Sequence, residues 1–145
     1  QFEYDSSLMG DDIPYLMKTM KGELYEVPVH WGTDDWPPFA HYEEINYLMP
    51  VRSPSNGLAG FFEEFEAHYR AGGFWMPILH PFLTGRLARW QQFEEWLEIV
   101  LSDKNVWFAS VEEIVIYIKT LASAGNYLPR VDELPYYERP VKLGN

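Results

Sequence analysis

Gly72-Gly73-Phe74-Trp75-Met76-Pro77-Ile78-Leu79-His80-Pro81-Phe82-Leu83-Thr84-Gly85 decides how this chain reads. An apolar run of strand length leaves a double glycine and stops at His80. Pro81 disfavours the helical region for the residue before it, so His80 is expected extended, at the last position of a strand. Thr84-Gly85 then turns the chain into a long amphipathic segment. The pattern is a strand-to-helix corner with an imidazole on its lip. In α/β folds the carboxyl ends of parallel strands are where ligands bind. Spacing alone leaves two readings of His80: a packed structural histidine, or a group presented to a ligand.

Upstream of this corner, Asn56 is a plausible N-cap. Leu58, Phe61, Phe62, Phe65 and Tyr69 then share one helical stripe that ends at Gly72-Gly73. Downstream, Arg86 to Leu101 reads as a second helix burying Leu87, Trp90, Phe93, Leu97, Val100 and Leu101. Val106 to Ala109 reads as a short strand. Ser110-Val111-Glu112-Glu113 is a capping box for a last helix that ends near Gly125. Nearer the start, Lys21-Gly22 signals a turn and Leu24 to Trp31 a strand. Val27, Val29 and Trp31 share one face of that strand; Glu26, Pro28 and His30 share the other. Pro28 places it at a sheet edge or a bulge. Gly32 to Phe39 is a stiff, acidic, aromatic loop at its carboxyl end. Flat rings beside carboxylates suit a sugar or another polar ring, or they merely cover a core. Residues 1–14 and 47–56 read as loops, and 126–145 as an irregular tail.

Strand, helix, strand, helix, strand, helix with short turns predicts an α/β fold of parallel strands. The length suits a single domain over 1–145. Three parallel strands cannot bury both faces of their sheet, so more protein is expected to complete the core. A formal net charge of −11 argues against a nucleic acid or an anionic membrane as partner. Cysteine is absent, which excludes disulfides and thiolate metal sites. No apolar run approaches the roughly 20 residues of a membrane span. No stretch reads as a signal peptide, so a cytoplasmic location is expected.

Several stretches together resemble a family. Tyr4-Asp5-Ser6-Ser7-Leu8-Met9, Glu26-Val27-Pro28-Val29-His30-Trp31 and Asp34-Asp35-Trp36-Pro37 are similar to the second half of the polysaccharide deacetylases. Those proteins share the NodB homology domain of carbohydrate esterase family 4. Gly72 to Trp75, His80-Pro81, Gly85-Arg86 and Val106 to Ser110 fit the same pattern. The likeness runs in order over residues 1 to about 118 and looks closest to the branch of Helicobacter-type peptidoglycan deacetylase, allantoinase-like proteins and cyclic-imide hydrolases.

The resemblance implies the C-terminal half of a distorted (β/α)7 barrel, with parallel strands inside and helices outside. It implies metal-assisted hydrolysis of a non-peptide amide C–N bond, with zinc as the usual metal. His80 matches the family's proton donor to the leaving nitrogen. Trp31, Asp34, Asp35, Trp36 and Phe39 match the groove-lining stretch. The family's early motifs, with the base Asp, the metal-binding Asp and a His-x-x-x-His pair, have no counterpart here. The histidines are His30, His41, His68 and His80. No two are three or four apart, so no metal ligand is assigned to this chain. The metal site is expected on an N-terminal half of the barrel, on the same or a separate chain, which predicts an oligomer and an inactive isolated chain. Peptidoglycan, chitin-like oligomers, allantoin and cyclic imides all remain open as substrates. The alternatives are a non-catalytic module binding a glycan or cyclic amide through Trp31, Trp36, Phe39 and Tyr42, and an assembly subunit.

Overall fold

The computed structural model describes residues 2–136. The chain divides into two compact units, Gln1–Pro28 with Ala109–Asn145, and Val29–Phe108. Among the described residues no helix is long and apolar enough to cross a membrane.

The first unit holds a four-stranded sheet: β1 (Tyr4–Asp5), β2 (Tyr15–Thr19), β3 (Gly22–Glu26) and β4 (Val131–Glu133), in the order β1-β3-β2-β4. The sheet is mixed. β1 pairs with β3 and β4 with β2 in parallel, but β2 and β3 form an antiparallel hairpin with Thr19 opposite Gly22. An all-parallel sheet was the expectation, and the hairpin corrects it. Gly22, at φ 132°, makes the tight return that a side chain would resist. Tyr15 and Met17 are buried from β2 and Tyr25 from β3. β3 ends at Glu26, before Pro28, and lies between β1 and β2. Neither an edge position nor a bulge is needed, because the proline falls beyond the ladder. The expected irregular tail contains β4, whose Leu16–Val131 register fixes it beside β2; residues 137–145 lie outside the described residues. Helix α4 (Val111–Ser123) starts on the expected capping box. The Ser110 amide donates to Glu113 Oε2 at 2.7 Å and the Glu113 amide donates to Ser110 Oγ at 3.2 Å, so each residue satisfies an orphan donor of the other.

Glu26 is the polar heart of this unit. It is 0% exposed. Its Oε1 accepts the amides of Ser7 and Leu8 at 2.9 and 2.7 Å, which pins the loop after β1. Burial pushes its carboxyl above the ordinary range; the two amides oppose that and Asp5 reinforces it, as desolvation, hydrogen bonding and like charge are expected to act on a carboxylate. Burial and the nearby Glu26 push the Tyr15 hydroxyl up to about 12, so it stays a phenol.

The second unit is helical around one apolar cluster. A short α1 (Trp36–Phe39) precedes α2 (Pro54–Ala71) and α3 (Leu87–Ser102). Ser53, not Asn56, caps α2: its hydroxyl accepts from the Asn56 amide. Pro54 takes the first helical position, where its missing N–H is harmless. Gly72, at φ 62°, closes α2 in the left-handed conformation. Phe39, Ala40, Leu58, Phe61, Leu83 and Phe93 form the core. Gly57 permits the closest approach in it, since a Cβ there would lie 2.3 Å from Phe39 Cε1. Two expected strands are not strands. Residues 74–79 make only one isolated parallel bridge, Asp34 to Ile78, and 106–109 carry no strand. High β-propensity does not make a strand without a neighbour to pair with. Trp31, expected in a strand, opens the short 3₁₀ turn Trp31–Thr33, where the amide of Gly32 donates to His30 Nδ1 at 3.0 Å.

Candidate active site

The isolated bridge builds the site. Ile78 donates its amide to Thr33 O at 2.7 Å, and Asp35 donates its amide to Ile78 O at 3.1 Å. The Thr33 hydroxyl adds a bond to Met76 O at 2.9 Å. These bonds lay the Asp34-Asp35 segment beside the run that ends in His80. Past His80 the chain closes on itself: the amides of Leu83 and Thr84 both donate to His80 O, at 2.8 and 3.0 Å, and that of Gly85 to Pro81 O at 3.1 Å. A Cβ at Gly85 would sit 2.1 Å from Pro81 O, so this turn requires glycine. The turn brings Thr84 back under His80.

Asp35 sits at the centre and is 0% exposed. Its Oδ2 accepts the His80 amide at 2.9 Å, the Thr84 amide at 3.2 Å and the Thr84 hydroxyl at 2.5 Å. Its Oδ1 lies 2.6 Å from His80 Nδ1. An acceptor-only carboxylate in that position accepts a hydrogen bond from Nδ1–H, leaving Nε2 as the outward nitrogen. The imidazole is 31% exposed. The neighbouring Asp34 is turned differently: its Oδ1 accepts the Trp36 amide at 2.7 Å and stands 3.9 Å from His80 Nδ1. Arg89 donates to Leu83 O at 2.8 Å and lies over the Phe39 ring at 4.2 Å. Burial and Arg86 hold the Arg89 guanidinium below its ordinary value, against the pull of Asp35.

Rings flank the imidazole. Trp36 stacks on Tyr42 with centroids 5.3 Å apart and meets His80 edge-on at 5.4 Å. Phe82, half exposed, meets His80 at 5.6 Å and Trp36 at 6.3 Å. The structure therefore gathers His80, Asp34, Asp35 and Trp36 from the expected residues. Trp31 is 59% exposed at the 3₁₀ turn. Phe39, expected to face a substrate, is a core residue at 2% exposed, because the Pro37-Pro38 turn of α1 drives its ring against Gly57 and under Arg89. Thr84 and Phe82 went unassigned in the sequence; their position within four residues of His80 in a glycine-closed turn was the available signal.

Asp34, Asp35 and His80 also offer donor atoms that all lie within 4.8 Å of one another, a spacing one ion could share. The hydrogen bonding argues against it. Two ligands about 2.0–2.2 Å from a tetrahedral ion stand roughly 3.3 Å apart. Asp35 Oδ1 and His80 Nδ1 are instead at contact distance for a hydrogen bond, 2.6 Å. Asp35 Oδ2 is taken by three donors. These residues fit the support of an imidazole and do not fit a metal.

The mixed α/β fold that carries this site is similar to solved deacetylase-like and amidohydrolase-like structures. A provisionally named polysaccharide deacetylase from Mycobacterium smegmatis matches with a TM-score of 0.77 at 30% identity, over 97% of this chain and 46% of that one. The Puue allantoinase matches in fold with a TM-score of 0.67 at 21% identity, over 88% of this chain and 41% of that one. The chain spans less than half the length of either. No family model matches it, and no curated protein matches it.

Proposed function

We propose that this chain is the proton-donating, substrate-facing part of a metal-dependent hydrolase of non-peptide C–N bonds, of the polysaccharide deacetylase kind. One observation carries the reading: the buried Asp35 stands 2.6 Å behind His80 Nδ1, which aims Nε2 of a part-exposed ring outward. In amide hydrolysis a water oxygen adds to the carbonyl carbon. The C–N bond of the tetrahedral species then breaks, and its electron pair stays on nitrogen. His80 Nε2 gives that nitrogen its proton and ends neutral, with Nδ1–H still held by Asp35. The carboxylate steadies the imidazolium before transfer, as in other Asp–His pairs. The stacked Trp36 and Tyr42, with Phe82 edge-on to both, give the leaving group an aromatic corner, and Trp31 offers a further exposed ring. A glycan or a small cyclic amide suits such a corner.

The groups that activate water, and the metal, belong by this proposal to residues outside this chain, on the remainder of a barrel carried by the same or a separate polypeptide. In the enzyme that contains this chain, His80→Ala lowers turnover of an acetylated glycan or cyclic amide by about 10²–10⁴-fold with metal content unchanged. Undiminished turnover, or loss of metal with the imidazole, refutes the assignment. The exposed aromatic corner supports a second reading, a non-catalytic glycan-binding module. Calorimetry with chitin oligomers against Trp36→Ala separates the two.

A further inference from the structure

We propose that Thr84 is a positioning residue: its buried hydroxyl holds the Asp35 carboxylate in the rotation that fixes the Nδ1–H tautomer of His80. The inference rests on the proton-donor reading of His80 and adds a residue to it. Asp35 has two oxygens and three kinds of donor competing for them. The backbone amides of His80 and Thr84 both reach Oδ2, at 2.9 and 3.2 Å, the first at ordinary hydrogen-bond length and the second at its long end. The Thr84 amide is further divided, since it also donates to His80 O at 3.0 Å. The hydroxyl supplies the short contact, 2.5 Å. With Oδ2 saturated, Oδ1 is left to Nδ1 alone. A carboxylate free to swing about its last torsion, which is broad and roughly two-fold, would share itself between Nδ1 and the amides.

Thr84 has no other evident role at this position. It is 2% exposed, in a turn whose neighbours Leu83 and Gly85 already serve the core and the tight closure. A hydroxyl placed there would be left unpaired if Asp35 were turned away, an unfavourable outcome for a buried donor. Its β-branch restricts its first torsion, so the hydroxyl is presented in few directions. The tautomer of His80 is thus set by a residue that touches neither ring nor substrate.

The test compares the whole chain with Thr84→Val, which keeps the shape without the hydroxyl, and Thr84→Ser, which keeps the hydroxyl. Long-range proton–nitrogen NMR of His80 reads the tautomer directly and needs no turnover. Wild type and Thr84→Ser are expected to show a neutral ring protonated at Nδ1; Thr84→Val is expected to show a mixture with Nε2–H substantially populated. Thr84→Ala repeats the comparison should the valine variant not fold. An unchanged tautomer in the hydroxyl-free variants overturns the proposal. So does an equal change in Thr84→Ser, since a variant that keeps the hydroxyl would then not keep the tautomer. Unfolding of both hydroxyl-free variants assigns the hydroxyl to folding and overturns it too. Because none of these readouts involves catalysis, failure of the hydrolase reading and failure of this one are separable.

Discussion

Truncating Asp35 to alanine should unfold the Val29–Phe108 unit at markedly lower denaturant, whereas Asp35→Asn should cost clearly less. The alanine strands the donors that meet at Oδ2: the amides of His80 and Thr84 and the Thr84 hydroxyl. Each buried donor left without a partner costs about 1–3 kcal/mol. The Thr84 amide retains His80 O, and its hydroxyl can rotate, so the sum is not three full penalties. A loss of about 3–5 kcal/mol is expected, the size seen when one partner of a buried polar network is removed. Asparagine keeps an oxygen for those donors and places an amide N–H₂ opposite His80 Nδ1. The cost is then about 1–2 kcal/mol, from weaker, uncharged hydrogen bonds. Nδ1 must become the acceptor, so the proton of the neutral ring moves to Nε2 and the proposed activity falls although the fold survives. All six tryptophans lie between Trp31 and Trp107, inside this unit, so tryptophan fluorescence in a urea titration reports it. Equal losses for the two variants, or less than about 1 kcal/mol for alanine, would refute the idea that Asp35 is held by its donors.

The other unit offers a pH test. Burial raises the Glu26 carboxyl, so the folded state binds this proton more tightly than the unfolded one. Stability from that source is complete below the ordinary value of 4.5 and is lost as pH rises through the raised one, as proton linkage requires. Glu26→Gln keeps an oxygen for Ser7 and Leu8 and removes the titration, so circular dichroism melts should show a flatter stability profile above pH 4.5 than wild type; parallel profiles count against it. Zinc titrated into this chain should leave the His80 Nδ1–Asp35 hydrogen bond in place, because Asp35 is saturated with donors. A shift at Nδ1 would restore the Asp34-Asp35-His80 cluster as a metal site.

The helix positions and the site segment were legible because their signals are local, but the expected α3 stripe was not: Phe93 and Val100 are buried while Leu87, Trp90 and Leu101 are exposed. The Phe61 stripe, the Gly72 stop and the Ser110–Glu113 box are each written within a few residues. What failed is what depends on partners distant in sequence. The Lys21-Gly22 turn signal does not by itself announce β2, which is created by its hairpin with β3 and its pairing with β4 more than a hundred residues later. The apolar run before His80 has strand propensity and only one bridge, so propensity outran pairing. Asp34 and Asp35 looked equivalent in the sequence. Only the bridge at Ile78 shows that Asp35 turns inward to the imidazole while Asp34 serves the Trp36 amide. Phe39 looked like an exposed ring because proline-rich loops usually are; packing against a glycine on α2 hid it.

That bridge has a consequence for how the imidazole is aimed. Along an extended chain each residue advances about 3.3 Å and reverses the side to which its side chain points. A slip of a single step at Ile78 would therefore carry His80 past Asp35 and face it the wrong way. The bonds that prevent the slip at Ile78 are main chain to main chain, indifferent to which side chain occupies 78, and they are reinforced by the Thr33 hydroxyl on Met76 O and by the Asp35 carboxylate under the His80 amide. Alignment of the reactive nitrogen is thus a property of backbone phasing, tolerant of drift in the apolar residues around it and intolerant of any insertion or deletion between Met76 and His80.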